Sequence, residues 1–304
     1  MASVPNAASG GLPPSGRVAS ARWMTLPMVA YLVVVTQVPF LTTVWLSLHA
    51  WNLQYPQRGV RFVGLANFAD LLGDSGFRES IANSVIFTVV PAVLTGLIGL
   101  GLALLLNRMR FGRGLAYGVL LMPFLVMETV SPIIWKTMML SPLYGILAWL
   151  AGRLGLAAPD LLASAPRLVI IIMVVWQWAP FMMMILLAGL QSVPADLLEA
   201  AQLDGAGAAR RFRHVVLPHL RPLLTVGLLL EIILVLPLFG PIYVATYGGP
   251  GSTTTNLMFS AYRVLAEQYQ VGRAAAAGLL AALLTIAAML LLLAYVRPLM
   301  RQDR

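Results

Sequence analysis

The chain has 304 residues, 60% of them apolar and only 10% charged, with a mean hydropathy of +0.85. A soluble domain carries about 25% charged residues, so this composition excludes a water-clothed globule and points to a bundle of lipid-facing helices. The net charge of +9 lies in short loops between apolar blocks, which assigns it to membrane topology and not to a nucleic-acid partner.

Cysteine is absent, which excludes a disulfide framework and thiolate metal sites. The three histidines, His49, His214 and His219, are scattered and form no metal motif. Residues 1–21 are rich in Ala, Gly, Ser and Pro and read as a disordered cytoplasmic tail. The apolar run Trp23–Leu48 is longer than the roughly 7–15 residues of a signal core, so it is expected to stay as a first span. Further apolar blocks follow at Ile81–Leu106, Leu115–Leu140, Leu168–Leu190, Leu223–Thr246 and Ala274–Val296. Each is long enough to cross about 30 Å of hydrocarbon. The expectation is an all-α membrane protein of six transmembrane helices over residues 22–298, with a short tail at 299–304. An even number of spans puts both termini on one side. The loops after spans two and four are the richer in arginine, with Arg108, Arg110 and Arg113 in one short connection, so that side is expected to be cytoplasmic. The opposite loops hold Trp51, Tyr55, Trp149, Tyr262 and Tyr269, aromatics suited to a membrane interface.

The loop 191–222 is far longer than a helix connection needs. Pro194 suits the first turn of a helix, Ala195–Asp204 are mostly good helix formers, and Gly205 suits a left-handed C-terminal cap. A second helical stretch then runs toward Leu217 and is expected to stop at Pro218. Leu197, Leu198, Ala201 and Leu203 give the first helix an apolar side, and Asp196, Glu199 and Asp204 make it acidic. An amphipathic helix lying on lipid would favour Lys or Arg on its polar face, and this one has none, so a groove on another protein is the better fit.

Glu199-Ala200-Ala201, then Asp204-Gly205-Ala206, then Leu217-Pro218 resemble the EAA loop of ABC importer permeases. In that family the loop forms a coupling helix docked on a separate ATPase. The resemblance implies that Glu199, Ala200, Ala201, Asp204, Gly205, Leu217 and Pro218 carry that contact. ATP and Mg would belong to the ATPase, since this chain has no phosphate-cradling G-x-x-x-x-G-K-[ST] loop and is expected to need no cofactor of its own. The resemblance extends from about residue 23 to 298 and points to the carbohydrate branch, through Gly64-Leu65-Ala66-Asn67-Phe68 and Trp176-Gln177-Trp178-Ala179-Pro180-Phe181. Within it the chain looks most like mannitol and sorbitol permeases, on stretches such as Pro123-Phe124-Leu125-Val126-Met127 and Gly248-Gly249-Pro250-Gly251. Glu128 departs from that pattern. The implied function is alternating-access import of a sugar or polyol across a bacterial inner membrane. The implied partners are a second permease subunit, two ATPase subunits and an extracytoplasmic binding protein. A disaccharide or a glycerophosphodiester is the alternative cargo.

Polar groups inside spans are costly and default to functional candidates. Glu231, in span five, can hydrogen-bond substrate hydroxyls or pair across helices. Glu128, in span three, can line the pathway or pair with Lys136, the only lysine. Gln177 and Trp178 offer donors beside a flat ring, or else interhelical packing. Tyr243 and Tyr247 suit either an interface belt or the outer end of the pathway. A membrane enzyme finds no support: Ser131 and Lys136 point to different sides of a helix, and no H-E-x-x-H occurs. A secondary transporter would have no reason for the loop at 194–218.

Overall fold

The computed structural model describes residues 16–301, with side chains from 25 to 294. Of the expected tails, 1–15 and 302–304 lie outside the described residues, and 16–21 already form the start of the first helix. That helix, α1 (Gly16–Ser47), leads into a short antiparallel hairpin, β1 (His49–Ala50) and β2 (Arg61–Phe62), with His49 opposite Phe62. Then come α2 (Ala66–Gly73), α3 (Ser75–Arg108), α4 (Arg113–Leu125) and α5 (Ser131–Ile133), which runs on as a π-helical turn at Ile134–Met139. The short α6 (Ile146–Arg153) and α7 (Leu161–Ser164) precede α8 (Pro166–Gln191). After α9 (Ala195–Leu203), α10 (Ala208–Arg211) passes through a π-helical turn at Phe212–Val216 into α11 (Leu217–Val235). A third π-helical turn, Ile242–Thr246, α12 (Leu257–Ala266) and α13 (Val271–Arg301) complete the chain.

Five helices among the described residues are long and apolar enough to cross a membrane: Thr25–Ser47, Ser75–Arg108, Pro166–Gln191, Ala208–Val235 and Val271–Ala294. The expected third span is not one helix. It breaks at 126–130, between α4 and the α5 turn. Pro132 is the cause: it lacks an N–H and its ring clashes with the carbonyl four residues earlier, that of Glu128. The expected fifth span also differs. Its helix starts at Ala208 and ends at Val235, and residues 236–239 break it before the π-helical turn. Pro237 and Pro241 act there as Pro132 does in the third segment. Nor does Pro218 stop a helix. The wide turn at Phe212–Val216 carries the chain into α11 with Pro218 in its first α-helical turn, where a missing N–H is harmless.

The long helices α3 and α8 form the centre of the bundle. Met182 and Met183 of α8 are fully buried with Ala103 and Leu106 of α3 and Leu220 of α11. A second core joins Phe87 of α3, Ile170 and Met173 of α8, Val235, and Ile242 beyond the fifth-segment break. Helices in lipid gain no hydrophobic drive from one another, so close contact needs small residues at the seam. Gly99 supplies it: a Cβ there would lie 2.8 Å from the Met182 Cβ and from the Met183 backbone nitrogen. Glu231 of α11 is 0% exposed and accepts from the Thr95 hydroxyl of α3 at 2.9 and 2.7 Å.

The first connection explains the Gly64–Phe68 motif structurally. Asn67 of α2 donates to the carbonyls of Ser47 and His49 at 2.8 and 3.0 Å. It thereby satisfies oxygens freed where α1 ends. At the opposite end of the bundle, Arg113 shares a surface hollow with Gln191, so the arginine-rich loop and the loop after α8 lie together.

Two substitutions test this packing in detergent-purified protein. Gly99→Val overpacks the α3–α8 seam and is expected to cost about 1–3 kcal/mol, read as a lower thermal unfolding midpoint. Thr95→Val leaves the buried Glu231 carboxyl without its hydroxyl donor and is expected to cost about 1–3 kcal/mol, whereas Thr95→Ser restores the native midpoint.

Candidate functional site

Two groups of side chains stand out, one at each level of the bundle. The first is the connection after α8. Pro194 sits at the N-cap of α9 with φ −60°, just outside the turn the sequence suggests, and Asp196 lies in the first turn, where a negative charge favours the helix dipole. The helix ends in a Schellman motif. The Ala206 N–H donates to the Ala201 carbonyl at 2.9 Å and the Gly205 N–H to the Gln202 carbonyl at 3.0 Å. Gly205 has φ +75°, a left-handed conformation that glycine adopts without a Cβ penalty. Arg211 donates to the Gln202 side chain at 2.9 Å and so ties α10 to α9.

Almost nothing covers α9. Leu203 is 90% exposed and Leu197 53%. Glu199, Ala200 and Asp204 are exposed, while Leu198 and Ala201 are half-buried. The carboxylates of Glu199 and Asp204 make no hydrogen bond among the described residues. Leu217 and Pro218 lie apart from this surface, in the first turn of α11.

The second group surrounds the two helix breaks. Backbone groups freed there cannot turn to water at membrane depth, so side chains must satisfy them. Gln177, on the unbroken α8, donates to the Val126 carbonyl at 2.9 Å. Glu128 Oε1 accepts from the N–H groups of Phe239 and Gly240 at 3.1 and 3.0 Å. Asn256 donates to the Leu238 carbonyl, and its Oδ1 caps α12 by accepting from the Phe259 N–H at 2.9 Å. Glu128 therefore does not pair with Lys136, which donates instead to the Val244 carbonyl at 3.2 Å. The break turns Glu128 toward the fifth segment, away from a residue two helical turns along an imagined straight span.

Aromatic rings flank this junction. Phe239 stacks on Tyr243 at 5.2 Å, Tyr262 stands edge-on to both at 5.2 and 5.4 Å, and Tyr247 meets Phe259 at 5.3 Å. Tyr243 and Tyr247 keep 39% and 52% of their surface exposed. The Tyr247 hydroxyl donates to Glu267 at 2.9 Å, which holds its phenol above the ordinary value. Trp178 belongs to a separate trio, edge-on to Phe124 at 5.7 Å and to Phe181 at 5.6 Å. Glu231 stands apart from both sets, enclosed with Thr95.

Above the junction the loop 248–256 is clamped from α3 and α8. Glu79 pairs with Arg167 at 2.8 Å and accepts from Ser252 at 2.6 Å, and Arg167 donates to the Thr253 carbonyl at 2.8 Å. Asn83 donates to the Thr255 carbonyl at 2.8 Å. A hollow of about 540 Å³ opens beside this loop between Lys136, Tyr144, Asp160 and Thr246.

Sequence reasoning missed Thr95, Asn256, Asn83 and the amides of Phe239 and Gly240. Asn256, just before the apolar run of α12, carries an N-cap signal that identifies its Oδ1 role. Nothing local announces its second bond, eighteen residues back. No cluster of side chains able to hold a metal ion occurs among the described residues.

Residues 96–302 match the family described as the binding-protein-dependent transport system inner membrane component. A probable ABC transporter permease protein, y4oQ of Sinorhizobium fredii, is 37% identical over 86% of this chain and 84% of its own length. The trehalose/maltose transport system permease protein MalF of Thermococcus litoralis is 37% identical over 79% of this chain and 81% of its own length. In fold, a crystal structure of a bacterial ABC transporter that imports the acidic polysaccharide alginate superposes with a TM-score of 0.78 at 20% identity, over 93% of this chain and 96% of that one. With a bundle of apolar helices, two side-chain-sealed breaks and an uncovered elbow at one end, the chain belongs to the binding-protein-dependent transport system inner membrane component family and is a membrane-embedded permease subunit.

Proposed function

We propose that this permease subunit imports a sugar or sugar alcohol across a bacterial inner membrane, with both termini cytoplasmic, and draws its energy from a separate ATPase. The observation that carries the coupling part is the uncovered α9. Leu197 and Leu203 offer apolar side chains, Glu199 and Asp204 offer free carboxylates, and the Gly205 turn holds the helix rigid against α10. An apolar helix face of this kind docks in a groove, and its acidic groups suit basic side chains of the ATPase, which holds ATP and Mg. Through α8 and α11, the helices that flank it, such an elbow passes rigid-body movement into the bundle. Two ATPase subunits, a second permease subunit and an extracytoplasmic binding protein complete the transporter. Alternating access is then a shift of population between two arrangements of the pair.

The solute reading is supported by the aromatic surface at Phe239, Tyr243 and Tyr262, which suits the flat faces of sugar rings, and by the hydroxyl and amide groups around it. Similarity to polyol permeases at Pro123–Met127 and Gly248–Gly251 favours mannitol or sorbitol. A disaccharide is the second reading, favoured by the 37% identity to a trehalose/maltose permease.

Reversing one charge tests the elbow. Glu199→Lys is expected to leave membrane abundance unchanged and to lower co-purification with the ATPase at least about tenfold. Native recovery of the ATPase would argue strongly against docking through α9. A thermal-shift screen of the cognate binding protein with maltose, trehalose, mannitol, sorbitol and amino acids tests the solute class. Stabilisation by a neutral sugar or polyol is the expected result, and a response to amino acids alone overturns the sugar reading.

A further inference from the structure

We infer that Glu128 is a positioning residue for transport: its Oε1 latches the broken third segment to the broken fifth and thereby sets the aromatic surface at Phe239 and Tyr243 in the pathway. The inference rests on the pathway assignment above and goes beyond it by giving Glu128 a task in holding the pathway's walls together.

The geometry is specific. Where the fifth segment breaks, the N–H groups of Phe239 and Gly240 lose their helical acceptors, and both point at one carboxylate oxygen, at 3.1 and 3.0 Å. Backbone contact reinforces the bond. A Cβ on Gly240 would lie 2.7 Å from the Glu128 carbonyl oxygen and 3.2 Å from its Cγ, so only glycine lets the two segments approach this closely. The residues on either side are held as well. Gln177 anchors Val126, two positions before Glu128, to α8, and Asn256 anchors Leu238, one position before Phe239, to the start of α12. Glu128 is the crosspiece between these anchors.

What hangs on the crosspiece is the ring cluster. Phe239, whose N–H the carboxylate holds, stacks on Tyr243 with an interplanar angle of 18° and meets Tyr262 edge-on. Release of Oε1 would leave the Phe239 and Gly240 N–H groups without the acceptor they share. The segment would then tilt, carrying the Phe239–Tyr243 pair with it. The second oxygen, Oε2, makes no hydrogen bond among the described residues, and Glu128 is exposed on the chain's own surface. A carboxylate in that position cannot face acyl chains, so this face meets water or the second permease subunit and not lipid. The latching role belongs to Oε1 alone and needs an acceptor of the right reach. It does not need a charge.

That distinction separates two substitutions in the complete transporter. Glu128→Gln keeps the acceptor and its reach and loses the charge. Glu128→Asp keeps the charge and withdraws the oxygen by one methylene. Since the chain has no cysteine, a Tyr243→Cys background makes a membrane-impermeant maleimide report one position. The labelling rate is expected to stay within about twofold of the background in the Gln variant and to change about tenfold in the Asp variant, the effect of losing the two hydrogen bonds to Oε1. In the native Tyr243 background, with [14C]trehalose as the probe, the Asp variant is expected to raise the KM for uptake about tenfold with Vmax and membrane abundance within about twofold. A general folding defect would lower abundance and Vmax instead. Any other ordering overturns the latch: Asp native-like with Gln altered makes charge the requirement, and equal behaviour of the two removes the role. If the Asp chain fails to accumulate, Glu128→Met, which keeps the reach and removes the acceptor, takes its place, with a labelling change of about tenfold expected and native-like labelling overturning the latch. If the native transporter takes up no trehalose, the disaccharide reading falls while the labelling result on Glu128 stands independently.

Discussion

A helix that breaks at membrane depth releases backbone donors and acceptors where no water can take them, and each must find a partner within the protein. This chain breaks twice, at 126–130 and at 236–239, and the same requirement accounts for the placement of its costliest polar side chains. Gln177 takes the Val126 carbonyl, Glu128 the Phe239 and Gly240 amides, and Asn256 the Leu238 carbonyl. The three come from α8, the third segment and the start of α12. Sealing the breaks therefore also joins elements far apart in sequence.

Around these joints the rest of the bundle is conventional for lipid. Small residues let α3 and α8 approach, and flexible methionines fill the seam. Glu231 is handled differently from Glu128. It has no broken backbone to serve, so it is buried against one hydroxyl between α3 and α11. Two carboxylates thus have opposite environments, Glu231 enclosed between α3 and α11, Glu128 open on one side and tying the two breaks together. The closely packed α3–α8 centre carries two broken segments whose freed backbone groups are tied to it and to each other.

The elbow at α9 follows the reverse logic. Its own hydrogen bonds are complete, through the Schellman turn at Gly205 and the Arg211–Gln202 contact, yet its apolar side chains are left in the open. A helix that is internally finished and externally bare leaves Leu197 and Leu203 uncovered on the chain's own surface. The same end of the bundle carries the arginine-rich connection near Arg113, which is the signal membrane topology uses to mark the cytoplasmic side.

Much of this was legible in the residues alone. Composition and block length gave a membrane bundle, because hydrocarbon thickness imposes a minimum run of apolar residues. The α9 elbow was readable to within a residue, because Pro194 and Gly205 act on their own backbone and their effects are local. The EAA resemblance led to the family that residues 96–302 match. Other features were not readable. The third block is apolar throughout, and hydropathy does not distinguish a continuous helix from two pieces joined at Pro132. Pro218 looked like a stop because the widened turn that absorbs it depends on neighbouring packing. Pairing with Lys136, one of two readings of Glu128, relied on spacing along an ideal helix, and the break removed that geometry. Sequence by itself determined which blocks are apolar enough for lipid and where the α9 elbow turns, since those depend on solvent transfer and local dihedral preference. Only the tertiary structure decided which side chain seals which break, since those bonds join residues 18 to 112 positions apart and exist only once the helices have packed.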